Sequence, residues 1–124
     1  MINKKIKRAL IVKAPYAMQE VEGLKKLECR SNGTGIREVV GIIQAGSGTI
    51  IGEVEIWDSF KFSEKEKVEF KNLHQVEDIS LLDKWCFGWA LKNPIKYDKP
   101  IKYNHPQGAQ NWVRLDIDSK GDLK

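Results

Sequence analysis

The stretch Gly23-Leu24-Lys25-Lys26-Leu27-Glu28-Cys29-Arg30 reads as the end of a helix followed by a strand. Gly23 suits the position just past a helix C-terminus, where the backbone turns left-handed. From Lys25 to Arg30 the side chains alternate, with Leu27 and Cys29 on one face and Lys26, Glu28 and Arg30 on the other. Lys25 has the wrong parity to join Glu28 and Arg30, but it stands beside the Gly23 turn, where alternation need not hold. One short turn-then-strand therefore presents an ammonium, a carboxylate and a guanidinium.

Upstream, Arg8 to Val12 is β-branched with a basic edge and predicts a first strand. Ala14-Pro15-Tyr16 opens a short helix, Pro15 fitting its first turn, with Tyr16, Met18 and Val21 facing inward. Downstream, Glu38–Ala45 and Thr49–Phe60 predict strands joined through Gly46-Ser47-Gly48, a hairpin signal that fits no nucleotide-loop pattern. Ser63-Glu64-Lys65-Glu66 is a capping box starting a helix that runs to about His74, with Val68 and Leu73 as its apolar face. Glu77 to Lys84 predicts a second short helical piece. Cys86 to Leu91 predicts a strand ended by Asn93-Pro94. Lys96 to Tyr103, broken by Pro100, tracks an edge. Asn104–Gln110 is a loop, Asn111–Ile117 the last strand, and Asp118–Lys124 a polar tail. Six or seven strands with few helices predict a mainly β fold with flanking helices (α+β), a small closed β-barrel. We expect one domain over residues 1–117 and a tail over 118–124.

The chain has 124 residues, 41% hydrophobic and 31% charged, which suits a single folded domain and argues against general disorder. No apolar run approaches the roughly 18–20 residues of a membrane span. The basic N-terminus resembles a signal peptide, but Lys13 ends its apolar stretch after Ala9-Leu10-Ile11-Val12, so a cytoplasmic protein is expected. Two isolated cysteines, Cys29 and Cys86, and two histidines, His74 and His105, have no metal-ligand or disulfide spacing, so no metal and no cofactor is expected. The formal charge is +4, unevenly spread: residues 1–30 carry +5, residues 31–91 carry −4 and residues 92–114 carry +4. If the fold joins the two outer segments they form one positive surface, which attracts polyanions, nucleic acid first. The alternative is a solvated face with no partner.

Gly23 to Arg30 also reads G-x-K-x-x-E-x-R, which resembles the signature of the ASCH domain, a branch of the PUA-like superfamily. Lys13-Ala14-Pro15-Tyr16-Ala17 resembles the family's entry to its first helix, and Gly52-Glu53-Val54-Glu55-Ile56 its G-x-v-x-i strand. Gly88 to Pro94 and Asn111-Trp112-Val113-Arg114-Leu115 resemble its late strands. The resemblance spans roughly residues 8–117, to bacterial ASCH proteins and the ASCH domain of activating signal cointegrator proteins. It implies a β-barrel with helices set against it, a cleft lined by the signature residues, and binding of RNA or a nucleotide. Some relatives are hydrolases, including amidohydrolases of N4-acetylcytidine that pair the motif lysine with a threonine where this chain has Glu28. That departure removes the nucleophile.

Within the expected cleft, Arg30 would offer a fork to phosphate or a base edge, Lys25 and Lys13 a point charge, and Glu28 an acceptor for an exocyclic amine. Tyr16 would stack on an unpaired base, with Trp112 and His105 as further contacts. Trp57, Trp85 and Trp89 are read as core. A binding module for RNA, a nucleotide or a modified base is the expected function. The alternatives are a hydrolase using Lys25 and Glu28 as acid and base, and a metal-independent ribonuclease using Lys25, Arg30 and His105. A purely architectural ion pair between Glu28 and Arg30 or Lys25 is the competing reading of the motif.

Overall fold

Strand β1 (Arg8–Val12) leads into helix α1 (Tyr16–Val21) and strand β2 (Leu27–Arg30). Strands β3 (Val39–Gln44) and β4 (Thr49–Lys61) form the expected hairpin, its turn carrying Gly46 and Gly48 at positive φ. Helices α2 (Glu64–Glu69) and α3 (Lys71–His74) and a 3-10 turn (Ile79–Asp83) precede strand β5 (Phe87–Lys102), and β6 (Trp112–Arg114) closes the series. The structure, a computed structural model, describes residues 2, 3 and 5–123. Among these, no helix is long and apolar enough to cross a membrane.

The strands form one six-stranded sheet in the order β2-β5-β4-β3-β1-β6, curled into a half-barrel. This is the mainly β architecture with flanking helices read from the sequence, with the sheet curled into a half-barrel where a closed barrel was expected. Edge strands β2 and β6 end the ladder on either side of a seam. One core cluster, including Leu10, Val40, Ile42, Val54, Ile56 and Trp89, packs under α1. A second gathers Ile2, Ile6, Ala9, Ile43, Ile50 and Val113 on the other face. A third, around Leu27, Phe62, Val76 and Leu82, seats α2, α3 and the 3-10 turn. Fully burying an Ile or Leu is worth about 1.5–3 kcal/mol, so these clusters dominate the fold's stability.

Two glycines place α1. Gly23, at φ +82°, turns the chain out of the helix toward β2. Gly52 lets the helix approach β4, since a Cβ there would stand 2.7 Å from Val21 Cγ1.

Several expectations need correction. The strand expected to stop at Asn93-Pro94 continues as one 16-residue β5. Asn93, at φ 53°, takes up a bulge where the register with β4 shifts, and Pro100 lies in a second irregular stretch. Prolines that cannot donate to the ladder are thereby tolerated. The helix expected through His74 breaks at Phe70, and Val68 is exposed. Lys67 takes the buried place instead, its ammonium held by Glu64 and Asp83 at 2.8 Å each. The last strand is only three residues long. Trp57 is exposed rather than core, lying across from Lys92. The outer basic segments do meet: β1 pairs with β6 and sets Arg8 opposite Arg114. The tail folds back, with Ile117 bridged to Leu123.

Candidate functional site

At the seam between β2 and the β1/β6 edge lies a hollow of about 340 Å³. The end of β1 contributes Lys13, α1 contributes Tyr16, and the β2 segment contributes Lys25, Glu28, Cys29 and Arg30. Trp85, from the turn after the 3-10 segment, and Asn111, just before β6, also line it. Of the residues named from the sequence, Lys13, Tyr16, Lys25, Glu28 and Arg30 share this hollow. His105 and Trp112 do not line it. His105 is exposed in its loop, where its ring bonds the Tyr103 hydroxyl at 2.7 Å and the Ala109 carbonyl at 2.9 Å. Trp112 stacks on Trp89 with ring centroids 6.1 Å apart. Trp85, read as core, is half-buried at the hollow, with the Lys13 and Lys84 ammoniums 5.8 and 5.7 Å from its ring.

Because β2 begins only at Leu27, Lys25 is free of strand alternation and turns inward, 1% exposed. Its ammonium donates to the His74 carbonyl and lies 4.6 Å from the Tyr16 ring centroid. His74 is itself fixed: its Nδ1 accepts from the Val76 N–H at 2.9 Å, which leaves Nε2 to donate to the Lys67 carbonyl at 2.8 Å. Burial lowers its pKa, and the ring is neutral. Burial also pushes the neighbouring Cys29 thiol up to about 11, which makes it a poor nucleophile.

Arg30 makes its contacts along the seam. Its Nε donates to Glu28 Oε2 at 2.7 Å, and Nη2 stands 2.7 Å from that same oxygen. Nη2 also donates to the Ile11 carbonyl at 2.7 Å, and Nη1 to Asn111 Oδ1 at 3.3 Å. One side chain thus ties β2 to β1 and to the approach of β6 where no strand ladder does. The fork anticipated for a ligand is turned onto Glu28, so the ion pair considered as the architectural alternative is present. By count of the five donors, one Nη1 hydrogen has no partner among the described residues.

The sequence reading missed Glu20, which is 1% exposed. Neither of its oxygens has a hydrogen-bond donor among the described residues. The Glu28 carboxyl acts on it as a like charge, while Lys25 and Arg30 act the other way. Burial, then the Glu28 charge, pushes Glu20 well above the ordinary 4.5. Burial acts against the Glu28 charge too, but the hydrogen bond from Glu20 and the charges of Arg30 and Lys25 outweigh it and hold Glu28 down. Glu20 is thus shifted toward its neutral form and Glu28 toward its ionised form. Glu20 also borders a separate hollow of about 380 Å³ with Lys25, Lys26 and Lys92.

This assignment has a testable sign. A carboxyl raised in the folded state binds more protons than in the unfolded chain. Its stabilising contribution is complete below the ordinary 4.5 and is lost as pH rises through the folded value. Glu20→Gln keeps an N–H donor for Glu28 but cannot ionise. Its stability relative to the parent should therefore rise as pH is raised from 4.5, until Glu20 has ionised. Urea unfolding of both proteins across that range measures it; a constant difference would contradict the raised Glu20 carboxyl.

Among the described residues no group of three or more His, Cys, Asp or Glu is placed to hold a metal ion. Chemically, the hollow offers a buried ammonium with one carbonyl acceptor, an ionised carboxylate, two aromatic rings and a lysine at the rim.

No curated protein matches the chain by sequence. Among solved structures it is similar to ASCH from Zymomonas mobilis, with a TM-score of 0.73 at 13% identity over 92% of this chain and 90% of that one. Two point variants of that protein are similarly related. A tyrosine-to-phenylalanine form has a TM-score of 0.72 at 13% identity, over 88% of this chain and 89% of that one. A serine-to-alanine form has a TM-score of 0.71 at 13% identity, over 93% and 92%. At that identity the likeness speaks for the fold. The model of the ASCH domain matches residues 10–101, most of the sheet and the whole Gly23–Arg30 motif, and the chain belongs to the ASCH domain family.

Proposed function

We propose that the hollow binds a single nucleoside or nucleotide, its base unpaired, as the recognition site of an RNA- or nucleotide-binding module. The family is one generally linked to RNA binding. The observation that carries the reading is that Lys25, Glu28, Tyr16 and Trp85 border one hollow of about 340 Å³, toward the lower end of small-molecule pockets. Glu28 accepts from an exocyclic amine, and the donor left on Lys25 beside the His74 carbonyl and Cys29 Sγ serves a base carbonyl. Lys13 at the rim serves a phosphate, and an aromatic ring takes the base face. Arg30 acts chiefly as a positioning residue, holding Glu28 and spanning the seam, with its spare Nη1 hydrogen for the ligand. A modified base would be discriminated at the Glu28–Lys25 edge, where one added acyl or methyl group changes the donors presented.

Binding is favoured over hydrolysis by how the two motif side chains are held. A general base needs a neutral amine or a carboxyl poised near working pH. Lys25 is committed to the His74 carbonyl, and the Arg30 guanidinium beside Glu28 helps hold its carboxyl below the ordinary range.

Calorimetric titration with free nucleosides, N4-acetylcytidine included, and with mononucleotides tests the proposal. Saturable binding is expected, weakened about tenfold by Tyr16→Ala, the size of one stacking contact. Binding indifferent to Tyr16→Ala, or absent for every nucleoside and nucleotide, would contradict it.

A further inference from the structure

On the seam's β6 side, away from the hollow, Lys7, Arg8, Trp112, Arg114 and Leu115 line a separate recess of about 580 Å³. Arg8 and Arg114 are cross-strand partners, directly opposite in the β1/β6 ladder. Like charges in that position destabilise an antiparallel pair. Glu38 offsets Arg8 in part, at 3.4 Å, but neither Lys7 nor Arg114 has a side-chain partner among the described residues. A single charge would suffice to keep edge strand β6 from pairing with another chain. Three cations and an aromatic ring in one recess exceed that need.

The recess is physically joined to the hollow. The Arg30 guanidinium lies 5.7 Å from the Trp89 ring, Trp89 stacks on Trp112 at 6.1 Å, and the Arg8 guanidinium lies 5.8 Å from Trp112. In sequence, Asn111 walls the hollow and Trp112 the recess. The two sites are thus linked through packed side chains, with the buried Trp89 between them, and consecutive residues wall one each.

We infer that this recess binds the sugar-phosphate backbone of a single strand whose unpaired base occupies the hollow. The inference rests on the proposed function of the hollow. Lys7, Arg8 and Arg114 take successive phosphates and the exposed edge of Trp112 takes a sugar or a neighbouring base. The strand is single because a base small enough for the hollow must leave its duplex to enter. The anion also relieves the Arg8–Arg114 repulsion, so the cost the free fold carries is removed on binding.

Arg114→Glu tests this. It replaces a like-charge pair with an opposite-charge pair, so the thermal midpoint should hold or rise. Affinity for a short unstructured RNA oligonucleotide at about 0.1 M salt should fall on the order of tenfold, and the slope of log affinity against log salt should flatten by about 0.7 for each phosphate no longer neutralised. Affinity for free nucleosides should stay as in the parent. If oligonucleotide affinity and salt slope are unchanged, the recess has no backbone role, whatever the nucleosides do. If oligonucleotides depend on Arg114 while nucleosides fail to bind, the recess stands and the reading of the hollow falls. A perfect duplex bound as tightly as the single strand, with the same dependence on Arg114, would overturn the single-strand inference. A DNA oligonucleotide of the same sequence separates RNA from DNA as the strand.

Discussion

Arg30→Ala is expected to lower the unfolding free energy by about 3–5 kcal/mol, the usual cost of removing one partner from a buried ion pair. The Glu28 side chain, 6% exposed, would keep its charge with no guanidinium beside it. The links to the Ile11 carbonyl and the Asn111 amide would go as well, and the seam between β2 and β1 would lose its tie. Arg30→Lys should recover part of the loss, since an ammonium keeps the charge but cannot reach three acceptors in a plane. The pH dependence has a definite sign. In the parent, Glu28 is held down, so its contribution is present above the ordinary 4.5 and is lost as pH falls. In Arg30→Ala the penalty should therefore shrink on acidification, because Glu28 then takes a proton. Pairing Arg30→Ala with Glu28→Gln should cost clearly less than the sum of the two single changes. Strict additivity in urea unfolding would mean that the pair is not coupled.

Lys25→Met should reduce affinity for nucleosides by between about ten- and a hundredfold, the worth of a hydrogen bond from a charged donor. The same change should cost about 1–3 kcal/mol of stability by leaving the buried His74 carbonyl without its donor. Methionine fills the volume of the lysine stem, so packing is largely kept and the two effects can be read on folded protein. The cation over the Tyr16 ring goes with the ammonium. Nucleoside affinity unchanged in the folded Lys25→Met protein would remove Lys25 from the ligand's surroundings and leave it an architectural role at His74.

Much of this molecule could be read locally. The strands at Arg8–Val12, Val39–Gln44 and Thr49–Lys61 follow from β-branched runs and a glycine turn, and the Ser63 capping box is present as expected. Long-range partners carry no such local mark. The carbonyl that receives Lys25 belongs to His74, 49 residues away at the end of α3, and the buried residues of α2 and α3 are Lys67 and His74 rather than an apolar stripe. Proline misled the reading of β5, because a bulge at Asn93 absorbs what an unbroken ladder would reject. Two signals were available and unused. Glu20 stands three residues after Ala17 and beside Val21, on the same helix face, so its burial follows from helical periodicity. Trp57 follows the inward Ile56 by one position, so alternation alone turns it outward. Trp85, by contrast, owes its place at the hollow to a turn whose path only the folded chain defines.

The hollow also explains why the motif mixes roles. Glu28 is the centre: Arg30 supplies it with a counter-charge, and the hollow it borders also holds Lys25 and Tyr16. Solution NMR at low ionic strength, titrating free nucleosides and a short unpaired RNA into the labelled protein, examines that arrangement most directly. Saturable shifts are expected at the Arg30 Nε–H, the Trp85 indole N–H and the Asn111 side-chain amide, with the Tyr103–His105 loop unmoved. A spectrum unchanged at Arg30, Trp85 and Asn111 by every nucleoside and by the RNA would contradict a ligand site centred on Glu28.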